Sequence, residues 1–164
     1  MLAMTTNAIR VEGLDDVLED LNKDIAGIKT RTRKGMITAG LLIQRKAQLN
    51  VPVDFGNLRA SAFTIWSQGG SVAAQFEGED SASMSMEHAR VVKNQVLGIK
   101  GNALFDLAVI VGFSAAYALY VHEDMTDGQT ARGTLRKPKF LEKAFVANKE
   151  AILFAIQNEA WKDN

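Results

Sequence analysis

The sequence contains no cysteine, only two prolines and only two histidines. Without cysteine the chain forms no disulfide, has no thiol nucleophile and lacks the thiolate ligands of many zinc sites. With only His88 and His122, a serine–histidine–acid triad has few ways to form, and no G-x-S-x-G nucleophile motif is present. We therefore expect no enzymatic activity, no cofactor and no bound metal.

Net charge and long apolar runs are missing as well. Nineteen Lys and Arg side chains balance nineteen Asp and Glu side chains, so the formal net charge is zero. Proteins that hold nucleic acid through its phosphates usually carry a basic surplus, so the balance argues against a dedicated DNA-binding protein, although not against a neutral ring around DNA. No apolar run approaches the roughly 18 residues that cross a bilayer, and the first residues lack a signal-peptide pattern. We expect no membrane association.

Length and periodicity predict one α+β domain spanning residues 1–164. Apolar residues at helical spacing predict two N-terminal helices, over 13–29 and 30–50. The second helix is expected to end before Pro52, which cannot donate a backbone hydrogen bond. Residues 1–12 are expected to be flexible.

The second half of the chain predicts a small antiparallel sheet and a final helix. Residues 61–78 alternate around a Gln-Gly-Gly turn, which predicts two strands. Residues 79–103 are interpreted as an insertion or arm between strands, with a helix from about Ser85 to Leu97. Residues 103–113 are almost uninterruptedly apolar, which indicates a central strand with both faces covered. After Pro138 the pattern predicts a C-terminal helix packed on the sheet.

Three polar patterns in the sequence bear on function. His122, Glu123 and Asp124, with Asp127 nearby, suggest a hard-metal site, but they lack the second histidine of an H-E-x-x-H helix. A polar stretch leaving a helix is the favoured interpretation, and His88 is expected to be a solvated helix residue. Two basic clusters could contact phosphate, but neither is interleaved with aromatic residues, so solvated surfaces are favoured. The clusters are Lys29, Arg31, Arg33 and Lys34, and Arg132, Arg136, Lys137 and Lys139.

Three stretches in a fixed order carry a resemblance. They are VPVDFGNLRAS at 51–61, YALYVHED at 117–124 and RKPKFLEKAF at 136–145. Their arrangement resembles the neck and tail-completion proteins of tailed bacteriophages, over roughly residues 10–75 and 104–160. That family typically reads Pro-Val-Asp-Thr-Gly, a polar residue, Leu and Arg, then Tyr-Ala-x-Tyr-Val-Glu, then Pro-Phe-Leu-x-x-Ala. The matching positions are Pro52, Val53, Asp54, Gly56, Leu58, Arg59, Tyr117, Ala118, Tyr120, Val121, Phe140, Leu141 and Ala144.

The chain departs from the family pattern at three positions. Phe55 replaces the usual threonine, His122 precedes Glu123, and Lys139 separates Pro138 from Phe140. The order and spacing of the stretches, rather than any single motif, carry the resemblance.

The resemblance implies a virion structural protein without catalytic activity. It implies a homo-oligomeric ring, a hexamer or a dodecamer, that joins the head connector to the tail around the DNA path. The implied partners are the connector or adaptor, the tail terminator and the tail tube, with genomic DNA passing through the lumen without specific binding. The implied location is the neck of the virion, after assembly in the host cytoplasm. A tail terminator that caps the tube, a DNA-binding accessory protein and a small hydrolase using His122 and Glu123 remain alternatives.

The first stretch is predicted to form a rigid corner. Pro52 stops the preceding helix, Asp54 accepts hydrogen bonds from following backbone N–H groups, and Gly56 permits a backbone angle that side chains resist. Asn57 completes the turn, Leu58 returns to the core and Arg59 is available for an acid. The residues predicted to contact another subunit or partner are Phe55, Met84, Met86, Tyr117 and Tyr120. The basic residues that could face DNA are Arg31, Arg33, Lys34, Arg136 and Lys137.

Overall fold

A computed structural model describes residues 13–52, 56–68, 71–76, 86–99, 107–124 and 138–162. Its helices are α1 (Leu14–Asn50), α2 (Asn57–Ala60), α3 (Met86–Ile99), α4 (Ala118–Glu123), α5 (Phe140–Ala147) and α6 (Lys149–Ala160). Its strands are β1 (Ala62–Gln68), β2 (Ser71–Phe76) and β3 (Val109–Phe113). The α+β class, the paired strands and the helix within the insertion are confirmed. The predicted flexible residues 1–12 lie outside the described residues.

The two predicted N-terminal helices are one helix, α1, of 37 residues. The predicted division between residues 29 and 30 was wrong. Gly27 lies just before it, but a glycine inside a helix costs only about 1 kcal/mol relative to alanine. Thr30, which follows, satisfies its hydroxyl within the helix, because Thr30 Oγ1 donates to the Ala26 carbonyl at 2.9 Å. The helix continues until Pro52 approaches, and Val51 leaves helical geometry with ψ of 130°. This end is where the sequence predicts it.

The sheet has the order β2-β1-β3, and both neighbours of β1 are antiparallel to it. The prediction that 103–113 forms the central strand was wrong, because β3 pairs only with β1 among the described strands. Both faces of the sheet are nevertheless covered. Thr64 and Val109 face Gly40 of α1. On the other face, Phe63, Ile65 and Ile110 pack with Val92 and Ile99 of α3.

A buried polar contact fastens α1 to the central strand. Gln44 is 1% exposed and Thr64 is fully buried. The Thr64 hydroxyl donates to Gln44 Oε1, and Gln44 Nε2 donates to the Ala62 carbonyl at 3.4 Å. Both groups of the glutamine amide thus have partners, which removes the free-energy cost of burying it. These hydrogen bonds therefore fix the position of α1 relative to β1.

The C-terminal segment is two helices that pack mainly on α1 rather than on the sheet. The helix breaks at Asn148, where the side-chain Nδ2 donates to the Ala144 carbonyl at 2.8 Å and competes with backbone pairing. α6 lies against Gly35, and Phe140 of α5 lies edge-on to Phe113 of the sheet, with ring centroids 4.9 Å apart. The prediction that the C-terminal helix packs on the sheet was wrong. An apolar stripe shows that a helix face is buried, but it does not show which element covers that face.

Gly35 is the point of closest approach between α1 and α6. A Cβ atom built at Gly35 would lie 2.7 Å from Ile156 Cα and 2.9 Å from its carbonyl oxygen. Both atoms are backbone, so relief requires α6 to move. At Gly27, in the same helix, a Cβ would meet only Arg31 Nη1 at 3.4 Å. The two glycines therefore have different roles in one helix.

We expect Gly35→Ala to lower the free energy of unfolding by about 1–3 kcal/mol, because overpacking exceeds the gain in helix propensity. The matched variant Gly27→Ala should raise it by up to about 1 kcal/mol. Denaturant unfolding followed by circular dichroism measures both. Equal stabilisation by the two substitutions would contradict the close packing at Gly35.

Candidate functional site

The three stretches that carry the family resemblance meet in one packed cluster. Val51 and Leu58 come from the first stretch, Ala118 from the second and Phe140 from the third, and all four are buried with Ala115. Phe113, Val121 and Leu141 pack around them. We call this cluster the motif junction. Segments far apart in sequence are thus held together by apolar burial, at about 1.5–3 kcal/mol for each large side chain.

The first stretch forms a corner between α1 and β1. Gly56 has φ of +81°, in the left-handed region that glycine tolerates best. The Ala60 N–H donates to the Gly56 carbonyl at 2.9 Å, and Ser61 Oγ donates to the Leu58 carbonyl at 2.7 Å. These bonds close the single turn α2. The predicted roles of Gly56 and Leu58 agree with this geometry, whereas Val53, Asp54 and Phe55 lie outside the described residues.

Side-chain bonds tie the corner to its neighbours. Asn57 Nδ2 donates to the Tyr117 hydroxyl at 3.2 Å, which links the first stretch to the second. Gln48 Nε2 donates to the Arg59 carbonyl at 3.0 Å, which links the corner back to α1. The Arg59 side chain is exposed. Hydrogen bonds to Tyr117 on one side and to α1 on the other therefore hold the corner in place, which suits a structural role.

The third stretch is tied to the second by backbone and charge. The Lys139 N–H donates to the His122 carbonyl at 2.7 Å, and Lys139 has φ of 57°. Lys139 Nζ donates to Glu123, while His122 Nδ1 lies 3.0 Å from Glu123 Oε1. The His122 ring stands edge-on to Phe140 with centroids 4.8 Å apart. The residue that separates Pro138 from Phe140 thus has its own structural role.

The Lys139 hydrogen bond is the main reason that the pKa of the Glu123 carboxyl is lowered from its ordinary value of 4.5. The hydrogen bond from His122 lowers it further. His122 Nε2 is buried and has no hydrogen-bond partner within the described part of the chain. His122 and Glu123 thus form part of an ion-pair brace at the motif junction.

His88 is buried, so its interpretation as a solvated helix residue was wrong. The Ser114 hydroxyl donates to the Ser61 carbonyl at 3.1 Å, and its oxygen lies 2.7 Å from His88 Nδ1. The contact joins α3 to the ends of β1 and β3. Local sequence patterns do not predict this contact, because His88 and Ser114 are 26 positions apart.

The predicted contact and basic residues have different surroundings. Tyr120 is 73% exposed and its neighbour Leu119 is 72% exposed, while Tyr117 is half-exposed. Met86 begins α3, and Phe55, Met84, Arg136 and Lys137 lie outside the described residues.

Arg31 Nε donates to the Ala160 carbonyl at 3.2 Å, so this cation helps to hold the end of α6. Arg33 is half-buried and Lys34 exposed.

Metal and membrane features can be assessed over the described ranges. Within them, no three His, Cys, Asp or Glu side chains are grouped so as to hold a metal ion. None of the helices there combines the length and the apolar character needed to cross a bilayer.

Comparison with protein-family models, with curated proteins and with solved structures finds no match to this chain. The arguments for function therefore come from the motif junction and the surfaces around it.

Gly56 offers a test of the corner free of steric crowding. No atom of the described residues lies within 4 Å of a Cβ built there, so among those residues a substitution adds backbone strain without a clash. We expect Gly56→Ala to lower the free energy of unfolding by about 1–2 kcal/mol, with a larger loss for Gly56→Val. Gly56→Asn should cost less, since asparagine visits this region more readily. Chemical denaturation ranks the variants, and equal stability of all three would contradict the left-handed corner.

The Glu123 brace predicts an acid-dependent contribution to stability. The folded-state pKa is lowered, so the contribution is fully present above the ordinary value of 4.5 and is lost as the pH falls through the lowered value. We expect Glu123→Gln to lower the melting temperature at neutral pH, and the difference from wild type to shrink on acidification. Lys139→Gln should reproduce the pattern. A difference that stays constant down to pH about 2 would show that the carboxylate charge is not involved.

Proposed function

We propose that the chain is a structural protein of a tailed-bacteriophage particle, a ring-forming neck or tail-completion component that joins the head connector to the tail. Its proposed location is the neck of the virion, around the path of the DNA. The partners we propose are further copies of the chain and the adjoining connector, terminator and tail-tube proteins.

The observation that carries the proposal is the convergence of the three resembling stretches at the motif junction. Leu58, Ala118 and Phe140 are buried together, although they come from three separate parts of the chain. Residues with this placement serve architecture, because they fix α1, β1, α4 and α5 relative to one another. If the matching residues of the three stretches did not meet in one structure, the resemblance would support the proposal less.

The surface beside the junction favours a subunit contact. Tyr120 and Leu119 project from α4, whose Ala118 and Val121 belong to the junction. Exposed aromatic and aliphatic side chains on a rigid support are typical of the anchors of protein interfaces. Phe145 and Val146 of α5 are also exposed. In a ring, one such patch meets a different surface of the next copy, a head-to-tail contact that closes by rotation.

The charge balance suits a ring around DNA. Equal numbers of basic and acidic side chains give a formal net charge of zero. Each phosphate contact needs a cation, so a neutral subunit grips passing DNA weakly. The proposal therefore includes no specific binding of DNA.

Negative-stain electron microscopy and sedimentation of the purified chain test the proposal. We expect rings of six or twelve copies, lost when Tyr120→Ser and Leu119→Ser are combined, because the contact loses its two apolar anchors. Leu97→Ser on α3, also at an exposed leucine, should leave the rings intact.

Two results would count against the proposal. One is a compact monomer at the highest soluble concentration. The other is tight binding of duplex DNA at about 150 mM salt, which would favour a DNA-binding accessory protein instead.

A further inference from the structure

The first half of α1 carries an apolar stripe that nothing in the described chain covers. Its side chains recur at alternating spacings of four and three, the repeat of a coiled-coil seam, with one further residue, Val17, beside the repeat. All are about half exposed, between 48% and 56%. We call them the N-terminal seam: Leu14, Val17, Leu18, Leu21, Ile25 and Ile28.

The seam continues into an interface that the chain itself forms. The same repeat leads on to Gly35, where α6 packs. Ile156 lies against Gly35 and Ala160 against Arg31, so α6 runs antiparallel to α1. α6 ends at Ala160, at the point where the exposed part of the seam begins. One stripe is thus covered by an antiparallel helix over its later turns and left open over its earlier ones.

The charges beside the seam are divided by sign. Residues 14–24 carry five carboxylates and one lysine, a net charge of −4, while residues 25–34 carry two lysines and two arginines, a net charge of +4. A helix dipole favours acids at the start of a helix and bases at its end. It accounts for the acids only, because α1 continues to Asn50 and the bases lie in its middle. Arg31 of the basic block bonds the Ala160 carbonyl at the end of α6, whereas Lys29 is exposed at the edge of the seam.

We propose that the N-terminal seam binds the same seam of a second copy of this chain, as an antiparallel two-helix pair. Antiparallel pairing sets the −4 half of each helix against the +4 half of the other, whereas parallel pairing sets like charges together. The paired seams bury apolar side chains over about 22 Å, the length of the 15 helical residues from Leu14 to Ile28. Apolar contact supplies the affinity, and the charges select the orientation.

The repeat also indicates the register. Placing the two-fold axis at the level of Lys23 sets Leu18 of one copy opposite Ile28 of the other, and Leu21 opposite Ile25. The flanking Asp15 then lies beside Lys29 of the other copy. In this register each helix begins where the other copy's α6 ends, so the second copy occupies the open turns only.

This pairing is independent of the proposed ring. A two-fold contact uses the same patch on both copies and closes on itself, whereas a ring needs two different patches. It can therefore occur in a free dimer or between copies in a larger assembly.

The absence of cysteine makes single-cysteine cross-linking direct. We expect a short bis-maleimide to join Asn22→Cys to itself. Asp15→Cys should not join to itself, since the two copies of residue 15 would lie about 24 Å apart, but it should join to Lys29→Cys when the variants are mixed. Lys23→Cys, on the outer face, serves as the control. Self-joining of Asp15→Cys, or no joining at any seam position, would overturn the proposal.

Sedimentation equilibrium provides a second readout. We expect Ile25→Gln to weaken dimerisation at least about tenfold, and Leu97→Gln, at an exposed apolar residue elsewhere, to leave it unchanged. Asp15→Lys and Lys29→Glu should each weaken the pair, and the two together in one chain should restore it, because the charges meet only between copies. A wild-type monomer at every concentration, or association that ignores the seam variants, would refute the pairing.

The cross-linking pattern separates this inference from the proposed function. Rings lost through Tyr120→Ser and Leu119→Ser, with seam cross-links kept, would support both proposals. Intact rings without seam cross-links would refute the pairing alone, and seam dimers without rings would refute the ring alone.

Discussion

The close approach of two helix backbones at Gly35 is the contact on which the described structure depends. Because glycine has no Cβ, α6 can lie directly on α1, with Ile156 backbone atoms in the space a side chain would fill. Gly40 likewise lets the sheet approach α1 closely, because a Cβ built at Gly40 would lie 2.5 Å from Val109 Cγ1. The two glycines lie on different sides of α1. One helix therefore has the sheet on one face and the C-terminal helices on another.

The motif junction is possible because α1 is held in this way. Val51 leaves the end of α1 directly into the junction, and Leu58 returns to it after the left-handed turn at Gly56. Asn57 then reaches Tyr117, and Lys139 reaches His122 and Glu123. These polar contacts surround an apolar centre and add orientation to burial. A rigid junction beside exposed Tyr120 and Leu119 is a suitable support for contact with another subunit.

The two halves of α1 show the same apolar repeat with different outcomes. From Gly35 onward the helix is covered by its own chain, and Ala39 and Ala47 are buried. Before Thr30 the same periodicity leaves half-exposed leucines and isoleucines, bordered by charges of opposite sign in two blocks. Small residues let the chain's own elements approach closely, whereas larger apolar residues beside charged flanks suit a partner helix. We interpret the size change near residue 28 as the division between intramolecular and intermolecular packing.

The sequence by itself determined the local structure: where Pro52 ends α1, that β1 and β2 pair as neighbours, the helix within the insertion and the left-handed turn at Gly56. Each follows from the backbone preferences of a few neighbouring residues. Only the tertiary structure decided that α1 is unbroken, that β1 is central, that α6 packs on α1 and that His88 is buried against Ser114. Those outcomes depend on which distant residue fills the space beside a given one, and periodicity along the chain records that a face is apolar without recording its partner.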